Sequence, residues 1–277
     1  MADSAPQTQY RQELVATFEE GMSWLRQTTV TESVNKGNAA VFLVAGSGNA
    51  SAVTRGINGL IPARSDDMTQ NTCTLVEWHD LVRKTRFNIF QSQGDQRRLM
   101  QETTRKVLNR RLDADIIAQL DTATTNLGAA TTMSLSVVQK AITTLGEAEV
   151  SVEEEDKMWA VASPAVRGYL MQITEKTSID YVDVKPLAGP VRRVMRWAGF
   201  NWIFHPNLTG VGTASEKCYF YHRDSIGSAF DAGEGLNTAI GYDEEQDYSF
   251  ARASSFTGAK LLQQSGIVQF LHDASAI

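Results

Sequence analysis

Four histidines, two cysteines and one glycine-rich turn are the places where this sequence has residue types suited to chemistry. His79, His205, His222 and His272 share no ligand spacing with one another or with Cys73 and Cys218, so no metal site is expected. Each histidine lies beside or within a strand-like run, where a hydrogen-bonded structural role is the simpler expectation. The His79–Asp80 pair has the composition to orient a general base, yet no serine or cysteine stands in a nucleophile elbow. The cysteines are too few and too far apart for a disulfide framework, and are expected to be half-buried thiols in a reducing compartment. Gly46-Ser47-Gly48 follows an apolar strand as a dinucleotide-binding loop would. Ser51 then stands where a third glycine is needed, and Gly56, Gly59 and Pro62 follow in place of a helix. Without that helix N-terminus there is nothing to hold a phosphate, and no cofactor is expected.

Arginine doublets at Arg97-Arg98, Arg110-Arg111 and Arg192-Arg193 raise the question of nucleic acid. The first two lie among acids, and the formal net charge of the 277-residue chain is -6. That balance argues against tight phosphate binding. Hydrophobic residues at 42% and charged residues at 21% describe a globular chain with material for a sizeable core. The first ten residues lack the basic and apolar regions of a signal peptide, so the sequons at Asn49 and Asn207 carry no weight. No apolar run approaches membrane-spanning length. A soluble cytoplasmic product is expected.

With no catalytic constellation in view, the elements themselves become informative. Tyr10, Leu14, Phe18, Met22 and Leu25 recur at helical steps and predict an amphipathic helix ending near Thr28–Thr31. Ala39 to Ala45 reads as a strand, followed by an irregular excursion with four glycines and Pro62. A second strand-rich run from Thr72 to Phe90 completes an extended hairpin, and a connecting loop of that length is usually functional. Between Gln93 and Leu120 the chain predicts a helix about 40 Å long. Ser92 and Asp95 suit its start, and Leu108, Leu112, Ile116 and Leu120 form its apolar stripe. A shorter helix is expected over Leu135–Leu145, a solvated acidic loop over Glu153–Asp156 and a buried strand over Met158–Ala162. Ser163-Pro164 then opens a helix to Ile173. A strand at Ile179–Val184, a hairpin about Ala198-Gly199, a strand over Cys218–His222 and a turn or short helix over Ser225–Phe230 follow. The chain closes on a strand pair, which needs an earlier apolar surface; the stripe of the long helix is the predicted partner.

This order of elements resembles the major capsid proteins of tailed bacteriophages with the Hong Kong 97-type fold. The resemblance covers nearly the whole chain, and Arg111-Leu112-Asp113 is similar to a recurrent feature of such long helices. It implies an α+β fold with an N-terminal arm (1–36), an extended β loop (37–90), a peripheral domain carrying the spine helix (91–130), an axial domain (131–236) and peripheral return strands (237–277). It also implies a virion protein, assembled in the host cytoplasm, that builds hexamers and pentamers of an icosahedral head around double-stranded DNA. Its partners would be further copies of itself, a portal, and a separate scaffolding or cement protein; no sequence-specific DNA contact, membrane or cofactor is implied. Residues 37–83 hold no lysine, so the lysine–asparagine cross-link of some such capsids is not expected. The short polar lead before the arm suggests that any scaffold is a separate protein.

Phe18, Met22 and Trp24 in the arm, and Arg55, Ile57, Leu60 and Ile61 in the loop, are the candidate subunit contacts. Two other readings stay open on sequence alone. One is an encapsulin-like compartment shell of the same fold; the other is a soluble α+β enzyme with a site assembled from distant residues.

Overall fold

The computed structural model describes residues 22–46, 50–63, 67–91, 95–174, 193–232 and 236–275. The predicted helix over Tyr10–Gly21, Phe18 within it, Ser92 and the strand at Ile179–Val184 lie outside these residues. In chain order the strands and helices are β1 (Val30–Val34), β2 (Ala39–Gly46), β3 (Asp67–Thr74), β4 (Val76–Thr85), α1 (Arg86–Gln91), α2 (Gln96–Leu120) and α3 (Leu135–Glu147). Then come β5 (Met158–Ala162), α4 (Pro164–Leu170), β6 (Val194–Trp197), β7 (Phe200–Phe204), β8 (Glu216–His222), β9 (Ile226–Asp231), β10 (Leu236–Asp243), β11 (Tyr248–Leu261) and β12 (Ile267–His272). They form two compact units. The first holds Met1–Ser23, Glu77–Arg111 and Glu234–Phe256, and the second Trp24–Val76, Leu112–Gly233 and Thr257–Ile277. The α+β class expected from sequence is observed.

The second unit is built around a five-stranded sheet in the order β12-β8-β5-β7-β6. Period-two alternation sends its side chains to two separate layers. Met158, Ala160, Ala162, Phe200, Trp202, Phe204, Cys218, Phe220, Val268 and Phe270 pack on one side with Val138, Ala141 and Leu145 of α3 and Val166, Tyr169 and Leu170 of α4. Val161, Ile203, Tyr219, Tyr221 and Ile267 pack on the other with Ile116, Ile117 and Leu120 of α2. Both faces are therefore dry, which is why the central strand β5 reads as a continuous apolar run. The β6–β7 turn places Ala198 at φ 52° and Gly199 at φ 76°, the two positive angles of a type I′ hairpin. The outer edge of β12 is covered by the chain after α2, through Gln269 N to Thr125 O (2.8 Å) and Leu127 N to Gln269 O (3.0 Å).

In the first unit β10 pairs antiparallel with residues 248–255 of β11, and β4 also pairs with β11. Residues of α2 tie onto this sheet: Gln96 Oε1 accepts from Lys84 Nζ (2.5 Å), and the Arg111 guanidinium lies 3.8 Å from the centroid of the Trp78 ring. Glu102 pairs with Arg98 at 3.0 Å along the helix.

Several sequence expectations are corrected. Helix does not extend to Leu25: among the described residues 22–29 the one helical element is a 3-10 turn at Arg26–Thr28, and Thr28, Thr29, Val30 and Thr31 favour the extended backbone of β1 that follows. The run Phe87–Phe90 is helical, not extended, since Thr85 Oγ1 accepts the Asn88 amide (3.3 Å) as an N-cap. Asp95 is the cap of α2, accepting from the amides of Arg97 (3.2 Å) and Arg98 (3.1 Å). Ser163 precedes α4 but makes no side-chain cap, and α4 ends at Leu170. Beyond a tight turn at Arg223–Ser225, residues 226–231 form strand β9. The two closing strands do not pair with each other: residues 257–261 of β11 pair with β9, whereas β12 pairs with β8. The intervening Leu262 and Gln263 amides are held by Ser225 O, which turns the chain from one sheet to the next. Both strands nevertheless reach α2 as expected. Leu261 N donates to Gln119 Oε1 (3.1 Å), and Ile267 packs with Ile116 and Leu120.

Candidate functional site

Three of the four histidines (His205, His222 and His272) and both cysteines are buried in the core, whereas His79 is exposed on β4 with its Nε2 2.9 Å from Glu77 Oε1. The Asp113 carboxylate, 2% exposed, accepts the amides of Trp24 (3.0 Å) and Leu25 (3.2 Å), with His205 Nε2 at 3.5 Å. It fastens the entering chain to α2. Ser163 Oγ donates to Glu216 Oε2, and His272 Nδ1 lies 3.1 Å from the same oxygen, while Glu216 Oε1 accepts the Gly212 amide (2.7 Å). Serine, histidine and glutamate thus meet, but around the carboxylate rather than in a nucleophile–base relay. All three are wholly buried, out of reach of a substrate. Burial pushes the Cys218 thiol up to about 12 and raises that of Cys73, so neither is a nucleophile at neutral pH. Both cysteines are fully buried, more so than expected. Among the described residues no group of histidine, cysteine, aspartate and glutamate is placed to hold a metal, and no helix is long and apolar enough to cross a membrane.

What stands out in their place is apolar surface left in water. The strands β2 and β3 form a two-stranded antiparallel ribbon, in register from Ala39↔Thr74 to Gly46↔Asp67. At its base Ala40, Phe42 and Cys73 pack with Ala229 of β9, and Val30, Val34, Leu75 and Leu262 close this small core. Phe42 lies flat enough on Gly227 that a Cβ there would come within 2.8 Å of its ring. Likewise a Cβ on Gly258 would meet Thr74 O at 2.4 Å, so the seat of the ribbon depends on missing side chains. The opposite face of the ribbon has no such cover. Val41, Leu43 and Met68 are all exposed there.

The loop that continues the ribbon, residues 50–63, is exposed throughout. Its tip is a closed turn in which Gly59 N donates to Gly56 O (2.9 Å) and Gly56 N to Leu60 O (3.0 Å), with Gly59 at φ 69°. Ile57 projects fully into solvent, Leu60 is 74% exposed, and Ile61 and Val53 are exposed beside them. Isolated exposed aliphatics are ordinary, whereas an apolar set gathered on one projecting loop makes that loop the candidate interaction surface. Arg55 is exposed on the same loop, so the four loop candidates from the sequence are brought together.

The arm candidates fare differently. Met22 is exposed. Trp24 is half-buried, packed with the second-unit core, edge-on to His205 (5.7 Å between centroids) and covered by Arg193 at 4.8 Å. Part of the Trp24 ring is thus covered by its own chain. Val41, Leu43 and Met68, and Phe87 and Phe90 of α1 in the first unit, were missed by the sequence reading. The signal for the first two was present: Ala39–Ala45 is apolar at every position, so a strand covered on one face must display the rest. For Phe87 and Phe90 the signal was hidden by reading a helical turn as strand.

The sequence profile of the phage capsid protein family matches residues 2–274 of the chain. The fold is shared with a chain of Mycobacterium phage Che8, at a TM-score of 0.76 and 14% identity, over 98% of each chain. It is similar to the capsid of cyanophage P-SCSP1u (TM-score 0.73, 12% identity, 97% of this chain and 93% of that one). The capsid of a native GTA particle is also similar, at TM-score 0.71 and 15% identity over 96% of this chain and 95% of the other. No curated protein matches the sequence.

Proposed function

The chain belongs to the phage capsid protein family, and we propose that its exposed ribbon and loop lie over a neighbouring copy to build the hexamers and pentamers of an icosahedral head. The protein is structural and not an enzyme, in keeping with the burial of Ser163, Glu216 and His272. The observation that carries the proposal is the projection of Ile57, Leu60 and Ile61 from a ribbon whose outer face is apolar as well. Burying such a side chain is worth about 1.5–3 kcal/mol. Contacts of that size are weak singly and become strong when each subunit is held by several neighbours at once.

The head would enclose double-stranded DNA without reading its sequence, and a net charge of -6 suits a wall to which DNA should not adhere. A portal and a separate scaffolding or cement protein complete the expected partners, with assembly in the host cytoplasm. In this reading residues 37–90 are the loop segment, and the arm preceding residue 37 makes a second contact through Phe18 and Met22. Electron microscopy of the high-molecular-weight fraction, from the chain expressed alone and from native particles, tests the proposal. Closed shells, tubes or hexamer sheets are expected, with nuclease-protected DNA in native particles. A small discrete oligomer under every condition would overturn it.

A further inference from the structure

We propose that Asn58 is a site of spontaneous deamidation in the folded, unassembled chain, and that seating of the loop protects it. The first half stands on the loop alone; the second rests on the reading of the loop as a subunit contact. Asn58-Gly59 is the single Asn-Gly pair in the sequence, and it sits at the tip of the exposed turn. Glycine leaves its backbone nitrogen unhindered, and nothing lies within 4 Å of where a Gly59 Cβ would be. The one restraint on that nitrogen is its bond to Gly56 O (2.9 Å), in a turn open to water.

The reaction needs only water. The Gly59 nitrogen attacks the Asn58 side-chain carbonyl carbon; a C–N bond forms, and the side-chain amide departs as ammonia with the proton that Gly59 gave up. Water then opens the resulting succinimide at either carbonyl, leaving aspartate or isoaspartate at position 58. Because the attacking nitrogen must lose its proton, the rate rises with pH. The product places a carboxylate between Ile57 and Leu60, where docking would have to strip its water. The isoaspartyl form also lengthens the main chain inside the turn. A subunit that waits too long unassembled thereby loses its apolar contact, which gives the free chain a limited lifetime for assembly.

Trypsin cleaves after Arg55 and Arg64, so the peptide 56–64 reports this asparagine alone. The experiment incubates unassembled chain, urea-unfolded chain and assembled particles at mildly alkaline pH and follows that peptide by mass spectrometry with isoaspartate detection. In the folded unassembled chain Asn58 is expected to convert before Asn35, Asn38, Asn71 and Asn207, whose next residues are bulkier. Conversion should quicken with pH, slow in Gly59→Ala and vanish in Asn58→Gln. Conversion in urea with none in the folded chain would mean that the turn bond protects the site, and would overturn the proposal. Equal conversion in subunits and particles would leave the site standing and overturn its protection, along with the docking of this loop. Arrest in particles alone is the expected result.

Discussion

The five-stranded sheet of the second unit and the ribbon of β2 and β3 are both apolar strands, and they resolve the same problem in opposite ways. The sheet has α3 and α4 on one face and the end of α2 on the other, so Trp202, Tyr219 and Phe220 see no water. The ribbon is seated only at its base, and Val41, Leu43, Ile57 and Leu60 remain outside. One is finished within the chain; the other, in the proposed reading, is completed by a neighbouring copy. Substitutions in the first should therefore be read in folding, and in the second in assembly.

The sharpest break in that comparison is Trp202→Ala. Its indole is wholly buried, stacks with Phe204, meets Phe220 edge-on, and donates from Nε1 to Trp197 O (3.0 Å). Removing it should destabilise the unassembled chain by about 3–5 kcal/mol. Chemical denaturation followed by far-ultraviolet circular dichroism measures this as a lowered midpoint, and an unchanged midpoint would mean that the sheet is not the folding core.

A somewhat smaller loss is expected from Asp113→Ala, which strands the amides of Trp24 and Leu25. A buried donor without a partner costs roughly 1–3 kcal/mol. Because the lost bonds fasten the entry segment, limited proteolysis should begin near Trp24 in the variant. Asp113→Asn retains an acceptor and should recover part of the stability.

The ribbon side of the comparison predicts the reverse pattern. Ile57→Asp with Leu60→Asp should shift stability by no more than about 0.5 kcal/mol, since neither side chain touches its own chain's core. The same double variant should stop assembly, with sedimentation showing free subunits and no particles. Intact particles would remove the loop from the assembly contacts.

How much of this was legible in the sequence depends on which of these two regions is considered. The sheet was largely readable: β5 is an uninterrupted apolar run, β7 and β8 are rich in aromatic residues, and Ala198-Gly199 marks a hairpin turn by chemistry alone. The exposure of Ile57, Leu60 and Ile61 was foreseeable because apolar residues among glycines have nothing local to pack on. Pairing was less legible. β11 and β12 follow each other closely, yet their partners were fixed by the long-range contacts of Gly258 with Thr74 and of Phe270 with Cys218's strand. Thr85 capped a helix through a bond to the amide three residues on, a signal that strand-like composition at Phe87–Phe90 masked, whereas Asp95 was placed at the start of the long helix, though as the partner of Ser92 rather than as the cap itself. Ser163 carried a cap signature but was claimed by buried Glu216, a residue 53 positions away.

The smallest effect concerns His222, at the end of β8 and so on the finished side of the comparison. Its Nδ1 accepts the Asp224 amide (3.3 Å), which fixes the turn into β9. Burial disfavours the charged ring and outweighs the pull of Asp224 and Glu154, which lie 3.7 and 3.9 Å away; Lys157 adds to the depression. The folded pKa therefore falls below the ordinary 6.5. A depressed histidine binds fewer protons folded than unfolded, so its contribution to stability is full above the unfolded value and is lost as pH falls through the folded one. His222→Asn keeps an acceptor for the Asp224 amide and removes the titration. Thermal midpoints of the unassembled chain should fall less steeply in this variant than in the wild type as pH drops from about 7 to about 5. Equal slopes would show that the ring takes its proton without penalty, and that the turn after β8 is as open to water as the loop at Ile57.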